Sequence, residues 1–164
     1  MDQTARFALP LLAPGQAQKE WFHNEALQRA DLLLCPVIEG AAIATPPASP
    51  AIGACYLIAG GATGAWAGHD GSLAGFTDGG WRFIVPVEGM RLVERTSGEI
   101  VIHRGGVWES GILRAQEVRV GGQKIVGQRQ GAIAAPTGGS TNDAQCRTAV
   151  VAILAALQAH GLIG

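Results

Sequence analysis

The 164-residue sequence is short of charge. Lysine and arginine together number 12, aspartate and glutamate 13, so 15% of residues are charged and the net charge is −1. An average globular domain carries about 25% charged residues. No basic stripe runs along the chain, which removes the electrostatic footing for nucleic-acid binding. Cysteine is scarce as well. Cys35, Cys55 and Cys146 stand far apart, odd in number and without a C-x-x-C spacing, so neither a disulfide framework nor a zinc site is expected. Each has apolar neighbours, the setting of a buried, reduced thiol. Long apolar runs are missing. The opening MDQTARFALPLLAPGQAQKE breaks its apolar stretch with two prolines and does not read as a signal peptide. The later stretch from Ala149 to Leu157 is far too short to span a bilayer. The expectation is a soluble protein made in the cytoplasm, with no membrane insertion.

Glycine, in contrast, is abundant at 24 residues, and 48% of the chain is hydrophobic. Two explanations stand side by side. The chain carries more apolar surface than a lone domain needs because it oligomerises, or its genome favours Ala and Gly. The length is enough for one domain with a buried core.

The chain reads as three parts: 1–35, 36–135 and 136–164. In the first, an extended arm precedes a helix from Gln16 to about Leu34, led in by Gly15 and stopped by Pro36. Phe22, Ala26, Ala30 and Leu33 share a stripe, with Leu27 and Leu34 beside it. Residues 36–53, with Pro36, Pro46, Pro47 and Pro50, read as irregular linker or strand edge. The strand in ACYLIAG places Tyr56 and Ile58 on one face, Cys55 and Leu57 on the other. GATGAWAGHDG is turn material around Trp66.

The same short phrase then appears twice. GSLAGFTDGGW, residues 71–81, and GEIVIHRGGVW, residues 98–108, each open on Gly and close on Trp, 27 residues apart. Each reads as a β-hairpin: strand Leu73–Phe76, turn Asp78-Gly79-Gly80 and strand Trp81–Val85, then Ile100–His103, Gly105-Gly106 and Val107–Glu109. Asp-Gly and Gly-Gly supply the positive φ of tight turns, and each Trp steadies its hairpin. Joined through PVEGMRLVERTS, the two make a meander. Short strands follow at Val118–Val120 and Lys124–Val126. The last part is an amphipathic helix with Ser140 or Thr141 as N-cap, Asp143 in its first turn, and Gly161 as its stop. Cys146, Val150, Ile153 and Leu157 form an a/d seam that suits an oligomer interface; packing back on the chain's own sheet is the alternative. The fold class is mainly β with flanking helices.

No catalytic set stands out. His69-Asp70 is a conceivable base with its orienting acid, although adjacent residues in a loop more often brace a turn. Glu20 and His23 share a helix face without a second cluster to complete a metal site. Ser97 and Ser110 lack an elbow motif, and the Gly pairs lack the lysine of a phosphate loop. A depolymerase would need two carboxylates in a groove, and no spacing singles out two among Asp70, Asp78, Glu88, Glu94 and Glu99. No cofactor or metal is implied. The aromatic residues are few, 5% of the chain, but Trp66, Trp81 and Trp108 with Tyr56 and Phe83 gather in its middle. Aromatic plates beside turns stack sugar rings or build small cores. Trp81 and Trp108 favour the core; Trp66, beside His69 and Asp70, is the better ligand contact.

Three stretches carry a resemblance: LPLLAPGQAQKEWFHNEALQRAD, PPASPAIGACYLIAGGATGAWAGHDGSLAGFTDGGWRFIVPVEG and GQRQGAIAAPTGGSTNDAQCRTAVVAILAALQAHGLI. Together they resemble DUF2793, a family of phage- and prophage-encoded proteins of alphaproteobacteria whose function is unknown. The resemblance implies a virion component: a tail-fibre, tail-spike or head-spike protein of a phage or gene transfer agent. It implies no active site. The chain departs from the pattern at Ala54-Cys55-Tyr56, where a polar strand start such as Gly-Asp-Arg is expected, which argues against a ligand role for that strand. The combined expectation is a non-enzymatic virion subunit, homotrimeric, bound to other virion proteins and to host surface polysaccharide. A structural adaptor without glycan binding and a depolymerase are the rivals.

Overall fold

The computed structural model describes residues 2–13, 15, 19–135, 137 and 143–163. The chain divides into two compact units, Met1–Ile112 and Leu113–Gly164. The arm and first helix belong with the β body in the first unit; the final strands belong with the last helix in the second. The architecture is mainly β flanked by two helices.

The first unit is one seven-stranded sheet and one helix, α1 (Lys19–Leu33). The strands are β1 (Val37–Ile38), β2 (Cys55–Leu57), β3 (Leu73–Thr77), β4 (Gly80–Ile84), β5 (Arg91–Glu94), β6 (Ile100–Arg104) and β7 (Val107–Ser110). Their order in the sheet is β4-β3-β2-β1-β5-β6-β7. The expected single meander is therefore two. The strands β2-β3-β4 and β5-β6-β7 each run up and down, and β1 lies between them, parallel to β2 and to β5. Two residues of strand just after Pro36 were too short to stand out, and β5 lies inside the stretch read as a connection.

The main core gathers Leu32, Ile38, Cys55, Leu57, Leu73, Leu92 and Val101. Leu32 is the point where α1 enters it. Gly75 on β3 makes room: a Cβ there would stand 2.4 Å from both Leu32 methyl carbons. The face of α1 that is buried holds Gln28, Asp31 and Leu32, not the stripe of Phe22, Ala26, Ala30 and Leu33, of which Phe22, Ala26 and Leu33 are exposed. Polar residues line this face because the N-terminal arm binds there. Asp31 accepts hydrogen bonds from Thr4 Oγ1 at 2.7 Å, Arg6 N at 2.9 Å and Phe7 N at 2.7 Å. The Arg6 guanidinium donates to the carbonyls of Asp31, Leu32, Leu34 and Cys35, which lack helical partners at the end of α1. Glu25 joins the helix to β4 through Arg82, 2.7 Å away. Periodicity of apolar residues is blind to such a polar clasp.

The second unit holds a hairpin, β8 (Val118–Val120) and β9 (Gln123–Val126), and α2 (Ala144–Ala159). Asp143 is the N-cap of α2, its carboxylate accepting from Cys146 N at 2.9 Å. It takes the role expected of Ser140 or Thr141, which lie outside the described residues, as does Gln16, the expected start of the first helix. His160 and Gly161, with φ of 68°, end α2 as expected. Cys55 is buried, whereas Cys35 and Cys146 are exposed, against the expectation for all three. Cys35 turns the chain out of α1 with a φ of 48°, and Cys146 sits on a helix with no buried residue. Among the described residues no helix is long and apolar enough to cross a membrane.

Candidate functional site: an aromatic face on the first hairpin

Strand alternation gives β2, β3 and β4 two different faces. Cys55, Leu57 and Leu73 point into the main core. On the opposite face the register aligns Tyr56 with Ala74, Ala74 with Phe83, and Phe76 with Trp81. Four aromatic side chains, Tyr56, Phe76, Trp81 and Phe83, thus share one face of three adjacent strands, each half-buried.

The loop from Ala59 to Ser72 supplies the base of this face. A single 3₁₀ turn, Gly64–Trp66, brings Trp66 into a second small core with Ile58 and Ala74. Trp66 is 0% exposed. It contacts Trp81 edge-on at 5.1 Å between ring centroids and Tyr56 at 5.8 Å. Tyr56 and Phe76 also meet Trp81, at 5.9 and 4.9 Å. His69 lies flat on Phe83, 3.7 Å between centroids and 8° between planes. Burial raises the Tyr56 hydroxyl above its ordinary pKa, helped by Glu39 and Cys55, so it stays a neutral phenol.

All three tryptophans of the β body pack against a core. Trp66, the favoured ligand contact, is a core residue with no surface to offer. Trp81, favoured as core, is half-buried and packs against that second core, and the surface it keeps lies on the aromatic face. Trp108 does pack against the main core and donates from Nε1 to Gly71 O at 2.8 Å. The repeat explains the difference. Phe76 faces Trp81 and His103 faces Trp108 in the same relative register, with rings 4.9 and 5.0 Å apart. The two hairpins are the same unit, but one turns its Trp towards the second core and the other towards the main core. The turns differ too. Gly105 and Gly106 both take positive φ, 57° and 83°, as a two-residue hairpin turn requires. The first hairpin places that demand on Gly80 instead, at 94°. Phe76 was missed as a member of the site; its signal was the 27-residue offset that pairs it with His103.

His69 and Asp70 are each engaged elsewhere, the imidazole on Phe83 and the carboxylate on the loop backbone. Asp70 accepts from Gly61 N at 3.0 Å and Ala62 N at 2.9 Å. These amides, Ala62 first, hold its carboxyl below the ordinary value. Three of the other carboxylates considered for hydrolysis are occupied locally. Glu88 accepts from Gly105 N at 2.9 Å, Glu94 from Thr96 Oγ1 at 2.6 Å, and Glu99 from Ser110 Oγ at 2.9 Å. Among the described residues no three His, Cys, Asp or Glu side chains gather where they could hold a metal ion. Cys146, Val150, Ile153 and Leu157, the expected interface seam, all lie on α2 in the second unit, and none is buried.

Among curated proteins none matches the chain. Residues 23–109 match the model of a family described as a protein of unknown function. The match spans more than half of the chain, from α1 through β7, and so covers the aromatic face. The chain belongs to that family, DUF2793.

Proposed function

We propose that the chain is a non-enzymatic subunit of a phage-type fibre or spike that holds to surface polysaccharide through the aromatic face of its first hairpin. The observation that carries this reading is the row of half-buried rings, Tyr56, Phe76, Trp81 and Phe83, seated on a buried Trp66. Rigid aromatic plates at a surface present apolar area at low entropic cost and suit the C–H faces of sugar rings. The virion setting comes from the resemblance carried by the opening, middle and closing stretches of the sequence. Stacking on a few rings is weak. Several copies on one particle raise the effective concentration and turn weak contacts into attachment, so the subunit works as a homotrimer, with other virion proteins as its remaining partners.

A glycan array with the full chain and with Trp81→Ala tests the reading. The expected result is binding to a subset of bacterial surface polysaccharides that falls at least tenfold in the variant. Binding unchanged in Trp81→Ala refutes the aromatic face as the contact. Absence of glycan binding by the wild type leaves the adaptor, and new reducing ends after incubation with capsule would point to a depolymerase.

A further inference from the structure

The two units differ sharply in how much they bury. Of the described residues, twelve hydrophobic ones are buried, and eleven of these lie in Met1–Ile112. In Leu113–Gly164 the buried one is Ile163. No residue of α2 is buried. On the hairpin Val118, Val120 and Ile125 are exposed, and on the helix Val150, Val151 and Ile153. A two-stranded hairpin is marginal by itself in water, and so is an isolated helix of about this length. With a single buried apolar residue among those described, this unit has little to offset the entropy of ordering its chain.

We propose that this second unit folds only against second copies of itself, so that its folding and the assembly of the chain are one event. Three features favour a copy over a foreign partner. First, the need is obligate: the unit must be covered whenever the chain is made, and another copy is the one partner always present then. Second, the size fits. A stable association takes roughly 20–30 residues from each side. The unit offers three residues of β8, four of β9 and sixteen of α2. Third, the helix is apolar over a broad arc. At about 100° per residue, Ile153, Leu157, Val150, Leu154 and Val151 cover about 160°. A single two-stranded seam is narrower; a broad arc meets two neighbours at once. Arg147 is the one charged residue between Ala144 and Ala159, so little opposes close approach of like helices.

The inference rests on the self-association in the proposed function and is independent of glycan binding. All four tryptophans, Trp21, Trp66, Trp81 and Trp108, lie in the first unit. Tryptophan fluorescence therefore reports that unit, while the far-ultraviolet helical signal reports α1 and α2, fifteen and sixteen residues. The experiment takes the full chain and Ile153→Glu, with mass by light scattering and urea unfolding followed by both probes at several protein concentrations. The expected wild type is a multimer of the 16.9 kDa chain. Its helical transition should rise with concentration while its fluorescence transition stays fixed. The variant should be monomeric, lose about half of its helical signal and keep the fluorescence midpoint. A monomeric wild type with full helical signal overturns the proposal, since the chain would then cover α2 itself. A variant that keeps the mass and the helix overturns it too. A dimer in place of a trimer upholds the inference and corrects only the proposed stoichiometry.

Discussion

Gly75 is where the fit between α1 and the sheet can be tested most sharply. It is buried on β3, and a methyl group there would stand 2.4 Å from Leu32 Cδ1 and Cδ2 and 2.9 Å from Cγ. Leu32 is 1% exposed and belongs to the main core, so it has nowhere to turn. Gly75→Ala should cost about 1–3 kcal/mol, the range of overpacked cores, and fall near its upper end. The lower chain entropy of alanine returns at most about 1 kcal/mol of this. Leu32→Ala alone should cost about 2–5 kcal/mol through lost burial and the cavity it leaves. In the double variant the new methyl group fills part of that cavity. The combined cost should then fall short of the sum by about 1–2 kcal/mol, as expected for residues in contact. Urea unfolding followed by tryptophan fluorescence reads all three variants in the first unit. A Gly75→Ala protein within about 0.5 kcal/mol of wild type, or strictly additive costs, would refute this account of how α1 sits on the sheet.

Asp31→Ala leaves the donors of Thr4, Arg6 and Phe7 without their acceptor and should cost about 3 kcal/mol or more in the same urea assay. A thiol reagent should label Cys35 at once and Cys55 only on unfolding, because burial pushes the Cys55 thiol up to about 11. Since that pKa is raised on folding, stability should fall as pH rises from the ordinary 9.0 towards about 11, and Cys55→Ala should remove this alkaline limb. Asp70 has a lowered pKa, so its support of the Ala59–Ser72 loop is complete above the ordinary carboxylate range and is lost as pH falls through the folded value. In Asp70→Asn the Gly61 and Ala62 amides should exchange faster with solvent at neutral pH, and their acid dependence should vanish.

What the sequence shows and hides follows from the range of each signal. Both hairpins are legible because turn glycines and a closing Trp act within a few residues, and the 27-residue offset places them in matching register. The end of α2 at Gly161 is legible for the same local reason. The burial of α1 is not. Its inward face is set by Asp31 holding backbone amides of an arm some 25 residues earlier in the chain, a long-range polar contact that mimics a solvent-exposed face in the sequence. β1 is hidden as well, since two residues after a proline form a strand only because β2 and β5 lie on either side. The burial of Trp66 has one cause. A Gly-rich loop reads as surface, yet the 3₁₀ turn at Gly64–Trp66 folds its one large side chain into a core. Which face each hairpin Trp takes follows from the strand order: the two hairpins lie on opposite sides of β1, so matching positions present opposite faces, beyond the reach of any local pattern.

The central claim is that the aromatic face of the first hairpin holds polysaccharide. The four indole N–H groups of the ¹⁵N-labelled full chain give four separate reporters, and a titration with a polysaccharide selected on the array reads each of them. The account predicts that the Trp81 resonance moves in a saturable way while Trp21 and Trp108 stay in place. Saturable binding that moves Trp21 or Trp108 and leaves Trp81 untouched would contradict it.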